Sequence, residues 1–141
     1  MPLPIRYDAS NLNLSPRFFH SEVVAASPAL AVETTICTIT VTGDIAAIAG
    51  VQLWGYAAFV VGTSGTACRL RIRQTSTAGT VIADTDATTG GIAAAAKVDM
   101  NANGFDAAPV LPGQVYVLTL QVTAGAAAST VAFTQLAALV I

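Results

Sequence analysis

The stretch Cys68-Arg69-Leu70-Arg71-Ile72-Arg73 decides the fold. Apolar and basic side chains alternate without a break. A period of two belongs to an extended strand, with Cys68, Leu70 and Ile72 on one face and the three arginines on the other. Such a strand needs neighbours, because a sheet that hides one face and wets the other is built from antiparallel partners. The next clear alternation, Tyr116-Val117-Leu118-Thr119-Leu120-Gln121-Val122-Thr123, supplies one. Tyr116, Leu118, Leu120 and Val122 make its apolar face, and Val117, Thr119, Gln121 and Thr123 a neutral outer face.

Outward from these two strands, the chain from Glu22 onward breaks into short β-branched and aromatic runs separated by Gly, Pro, Asn and Asp, the pattern of a sandwich or barrel. The runs predict about eight strands, near 21–26, 33–42, 51–61, 67–75, 79–84, 92–100, 114–123 and 129–140. Turns are expected at Thr42-Gly43-Asp44, Gly62-Thr63-Ser64-Gly65, Ala78-Gly79, Thr89-Gly90-Gly91, Asn101-Ala102-Asn103-Gly104, Leu111-Pro112-Gly113 and Ala124-Gly125. The alanine run between Gly91 and Val98 competes as a helix but is too short to stand alone; it reads as a strand, with one helical turn as the alternative. The expected fold is all-β: a single antiparallel β-sandwich of about eight strands, jelly-roll-like, over residues 21–141. Residues 1–20, with Pro2, Pro4 and Pro16 and the pair Phe18 and Phe19, read as an extended N-terminal arm, lying across a neighbour or along its own domain.

Two strands hold more apolar surface than one sandwich core uses. Along 51–61, Leu53, Phe59 and Val61 share one face while Trp54, Tyr56 and Val60 share the other. A strand apolar on both faces asks for cover on both sides. The ending Leu136-Ala137-Ala138-Leu139-Val140-Ile141 has the same character, and no charged side chain follows Asp106. Trp54, Tyr56, Val60, Leu136, Leu139 and Ile141 are therefore the candidate subunit interface.

Charged residues are 10% of the 141, against about 25% in an ordinary soluble domain. With a net charge of −2 the surface lacks colloidal repulsion, which favours coverage by partners. A sequence pI near 5.0 argues against a nucleic-acid partner. The uncharged run from Ile45 to Cys68 is cut by Gly62-Thr63-Ser64-Gly65 and reads poorly as a membrane span, and the N-terminus lacks the basic and apolar regions of a signal peptide.

No catalytic constellation emerges, and the expectation is a protein that is not an enzyme and needs no cofactor or metal. His20 is the only histidine. Asp84 and Asp86 have the opening spacing of a calcium loop, but Thr88 takes the third position and no Glu closes it, so they read as a polar turn. Asp99, Asn101, Asn103 and Asp106 read as a loop capping its own backbone. Cys37 and Cys68 are too few for a zinc motif and read as buried thiols, or as a cross-strand disulfide in an oxidising compartment. The ladder Arg69, Arg71, Arg73 either meets anionic groups on a partner or pairs across the sheet with Asp84 or Asp86. With Phe18 and Phe19, these arginines are the candidate partner contacts.

The arm Leu3-Pro4-Ile5-Arg6-Tyr7-Asp8 and the ending from Pro112-Gly113-Gln114-Val115-Tyr116-Val117-Leu118-Thr119-Leu120 through Ile141 resemble small β-sandwich or jelly-roll virion proteins of tailed bacteriophages that decorate capsids or form head fibres. The resemblance carries no site residues over. It implies a non-catalytic homo-oligomer, commonly a trimer, assembled in the host cytoplasm and held on the particle surface by the major capsid or other virion proteins. The competing expectation is a carbohydrate- or receptor-binding sandwich in which Trp54, Tyr56 or Tyr116 stacks on sugar rings. A Trp54 open in a groove beside Asn or Asp favours binding; a Trp54 buried between subunits favours assembly.

Overall fold

The computed structural model describes residues 18–26, 30–42, 49–62, 67–87, 93, 95–123 and 130–141. These form eight strands: β1 (Phe18–Ala26), β2 (Thr34–Val41), β3 (Val51–Val60), β4 (Ala67–Gln74), β5 (Val81–Ala87), β6 (Lys97–Asp106), β7 (Gln114–Thr123) and β8 (Thr130–Val140). They make two four-stranded sheets, ordered β1-β8-β3-β6 and β2-β7-β4-β5, with every pairing antiparallel. Only β4 and β5 form a hairpin within one sheet; every other connection crosses between sheets. That order is a jelly roll.

Period-two alternation sorts the side chains. Leu53, Ala57, Phe59, Leu136, Ala138 and Val140 face inward from the first sheet, and Cys68, Leu70, Ile72, Tyr116, Leu118, Leu120 and Val122 from the second, all buried in one core. A polar clasp closes one end of this core. Buried Asp106, at the end of β6, accepts hydrogen bonds from Tyr116 Oη on β7 (2.8 Å), Gln74 Nε2 on β4 (2.6 Å) and the Ala108 backbone N–H (3.0 Å). Both thiols lie in the core and are free. Cys37 pairs opposite Leu118 and Cys68 opposite Val122, on the two sides of β7. Two strand spacings, about 10 Å, thus separate them before the offset along β7 is added. A disulfide needs Cα atoms within about 7 Å, so the bridging alternative falls. Burial pushes the Cys68 thiol up to about 11.

Four expectations need correction. Asn101-Ala102-Asn103-Gly104 is no turn: it lies inside β6 and pairs residue for residue with β3. Its Asn-Gly signal has another cause, because a Cβ at Gly104 would sit 2.7 Å from the Ile82 carbonyl oxygen and 3.0 Å from Ala83 Cβ, so the glycine serves the close approach of β5. Asp84 and Asp86 stand on β5, where cross-strand pairing with β4 replaces the polar turn. Phe18, Phe19 and His20 open β1 instead of ending an arm, since β8 gives their backbone partners. The turns at Ala78-Gly79 and Leu111-Pro112-Gly113 fall where expected. Gly43-Asp44, Thr63-Ser64-Gly65, Thr89-Gly90-Gly91, Ala124-Gly125, Ile92, Ala94 and the arm up to residue 17 lie outside the described residues. The strand expected from residue 92 starts only at Lys97: Ala93, Ala95 and Ala96 are not strand, and the Ala96 N–H donates to the Ala93 carbonyl at 3.2 Å in a turn.

Candidate functional site

The outer face of the β1-β8-β3-β6 sheet is built in cross-strand rows. One row runs Phe18, Leu139, Gln52, Phe105; the next His20, Ala137, Trp54, Asn103; the third Glu22, Gln135, Tyr56, Asn101. Trp54 and Tyr56 stand two residues apart on β3 and project outward because Leu53, Gly55 and Ala57 take the core side. Trp54 remains 39% exposed. Around it lies a shallow groove of about 390 Å³ lined by Phe18, Trp54, Gly55, Tyr56, Asn101, Asn103, Gln135 and Ala137.

Local contacts hold this lining in place. Tyr56 Oη donates to Asp99 Oδ1 at 2.8 Å, and this bond to a carboxylate, with some desolvation, raises the phenol above its ordinary value. The Tyr56 ring meets Phe133 with centroids 6.0 Å apart and planes tilted by 50°. Gln135 Nε2 lies 2.8 Å from His20 Nε2, which in turn lies 2.9 Å from Glu22 Oε1. The side chains of Asn101 and Asn103 make no hydrogen bond to any described residue and stand exposed beside the indole.

Of the candidate interface residues, Trp54, Tyr56, Val60 and Leu139 share this outer face and Ile141 is exposed just past its end. Leu136 does not join them. It is 0% exposed, because the alternation of β8 turns it into the core. Phe18 is exposed as a contact residue would be, whereas Phe19, one position on, packs against the core. Tyr116, offered above as a sugar platform, is wholly buried in the clasp and cannot stack on a ligand. Phe18, Phe105, Val110, Ile141 and Val81 are all exposed at one end of the sandwich, where β1, β3, β5 and β7 begin.

The arginine ladder is spent within the chain. Arg69 pairs with Asp86 through Nε and, at 2.8 Å, Nη2; Arg71 reaches Asp84 (3.0 Å) and Glu33 (2.9 Å). Arg73 grips both oxygens of Glu33 and donates to the Gly79 carbonyl at 2.9 Å. The cross-strand pairing expected with Asp84 and Asp86 is met at Arg69 and Arg71, which β5 sets opposite Asp86 and Asp84, whereas Arg73 turns to Glu33. Glu33 was invisible to alternation, since it precedes β2 and reaches the ladder only through the fold.

Burial works against ionisation of Glu33, but hydrogen bonds from Arg73, Thr119 and Arg71 and the charge of Arg73 outweigh it and hold the carboxyl at about 2, against an ordinary 4.5. A carboxyl depressed by folding adds stability that is complete above its unfolded value and drains away as pH falls towards its folded one. At about 1.4 kcal/mol per pH unit, this amounts to about 3 kcal/mol lost between about pH 5 and pH 2. Urea denaturation across that window is expected to show a smaller loss in Glu33→Gln, which starts less stable, than in the native chain; some loss remains because Arg69 also holds Asp86 below its ordinary value.

No protein-family model matches the chain, and no curated protein matches it. Among solved structures, it is similar to a Bacillus protein from endospore appendages that form disulfide-linked pili (16% identity, 92% of this chain and 93% of that one, TM-score 0.44). It is also similar to a protein of infectious bursal disease virus, Gx strain (19% identity, 88% of this chain, TM-score 0.49), and to dimeric latent PorU of Porphyromonas gingivalis (10% identity, 87% of this chain, TM-score 0.51). The chain spans 32% of the viral protein and 13% of PorU. At such identities the likeness speaks for the fold alone, and of these three the PorU match is close enough in shape to add weight to the sandwich.

Proposed function

We propose that this chain is a non-catalytic structural protein that assembles with copies of itself, as a decoration or stabilising protein on the surface of a virion-like particle. The observation that carries the reading is the apolar end of the sandwich. Phe18, Phe105, Val110 and Ile141 are exposed there together, beside Leu139 on the outer sheet face, in a chain that has little charge to keep such surface apart in water. A closed ring, a trimer among others, buries such a patch once per subunit. The remaining contacts, by this reading, go to a major capsid or other virion protein.

Size-exclusion chromatography with light scattering tests it. The native chain at micromolar concentration is expected to run as a discrete oligomer, and Phe18→Asp with Ile141→Asp as a monomer with an unchanged β-sheet circular dichroism spectrum. A native chain that runs as a monomer overturns the self-assembly.

A further inference from the structure

We propose that the groove around Trp54 binds neutral carbohydrate, an activity that goes beyond assembly; the groove shares Phe18 with the assembly end but not Phe105, Val110 or Ile141. The chemistry of the lining selects the ligand. Two aromatic side chains, Trp54 and Tyr56, stand one strand repeat apart, about 6.6 Å, so that successive sugar rings find successive apolar platforms. Asn101 and Asn103 lie directly across from them on β6, at the same spacing, with donors and acceptors not engaged by any described residue.

An apolar protein surface laid on this groove would strip water from both amides without replacing their hydrogen bonds, at a cost of about 1–3 kcal/mol for each group left unpaired. Among the described residues that line the groove, none but the Tyr56 phenol is an acid or base, and that phenol is engaged by Asp99, so the described lining gives a charged ligand no counter-charge. A polyhydroxyl ring satisfies both halves of the site at once, its C–H face on the indole and its hydroxyls on the amides. The platform is firm: the Phe133 ring packs against Tyr56, and Asp99 accepts from the Tyr56 hydroxyl.

Trp54 is the only tryptophan in the chain, so its emission reports on the groove directly. Maltohexaose, cellohexaose, mannohexaose and a wider array of neutral glycans are the probes, with a sulfated heparin hexasaccharide for comparison. At least one neutral glycan is expected to shift Trp54 emission saturably, with a dissociation constant of ~1 mM or tighter. Asn101→Ala with Asn103→Ala is expected to weaken that binding at least tenfold while leaving the far-ultraviolet spectrum unchanged. Binding of no neutral glycan, binding of heparin alone, or equal binding by the asparagine double variant each overturns the proposal. So does a Trp54 that becomes shielded from aqueous quenchers as protein concentration rises without sugar, because the groove is then a subunit contact. The mass by light scattering, read on the same samples, tests self-assembly separately.

Discussion

Asp106→Ala is expected to lower the free energy of unfolding by about 3–5 kcal/mol, because it leaves three donors without an acceptor, two of them the Tyr116 hydroxyl and the Gln74 amide at the core end. Tyr116 is fully buried with its hydroxyl aimed at Asp106 Oδ2, and Gln74 donates to the same oxygen. In the native chain burial and the adjoining carboxylate both push the Tyr116 phenol upward, so it stays a donor at every pH the fold survives. An alanine at 106 returns neither hydrogen bond, and the hydroxyl cannot reach water without opening the sandwich. Tyr116→Phe is the milder change, about 1–2 kcal/mol, since the carboxylate keeps Gln74 and the Ala108 N–H. Urea unfolding followed by circular dichroism separates the two variants. Equal costs for both would mean that the clasp holds through the tyrosine alone.

Gly55→Val produces the second large effect, at the floor of the groove. Gly55 lies between Trp54 and Tyr56 on the inward side of β3, and a Cβ there would sit 2.5 Å from Leu118 Cδ1 and 3.4 Å from Ile72 Cδ1. Both neighbours are wholly buried, so the leucine has no solvent-side rotamer to retreat into. Overpacking of this kind typically costs about 1–3 kcal/mol, and the valine adds two further methyl groups, which places the expected cost at the upper end. Leu118→Ala costs about 2–5 kcal/mol by leaving a cavity. The double variant fills that cavity with the valine, and it is expected to be more stable than the two single costs predict by about 1–2 kcal/mol. Strict additivity in thermal or urea unfolding would show that β3 shifts instead of pressing on Leu118. Such a shift moves Trp54 and Tyr56, and so would weaken the proposed sugar binding even where the fold survives.

The strands were legible wherever side chains alternate between core and water. Cys68 to Arg73 and Tyr116 to Thr123 state their inward and outward faces plainly, and the two-faced composition of 51–61 correctly set Trp54, Tyr56 and Val60 outside and Leu53, Phe59 and Val61 inside. The asparagines of the groove were misplaced because Asn-Gly is a local turn signal. The alternation of Asp99, Asn101 and Asn103 with Val98, Met100 and Ala102 in the same stretch was the better guide. In the C-terminal run of alanine, leucine and valine nothing polar marks the register, so Leu136 and Leu139 looked alike, yet one is core and the other surface.

By itself, then, the sequence determined an eight-stranded all-β sandwich and its shortage of charge, since period-two patterning and composition are properties of single strands. Tertiary structure alone decided which strands are neighbours. That choice set Asn101 and Asn103 beside Trp54 and Tyr56, drew Glu33 onto Arg71 and Arg73, and closed Asp106 over Tyr116. Each pairing joins residues from different strands or loops. Its energy comes from desolvation and hydrogen bonding that exist only after the sheets have packed.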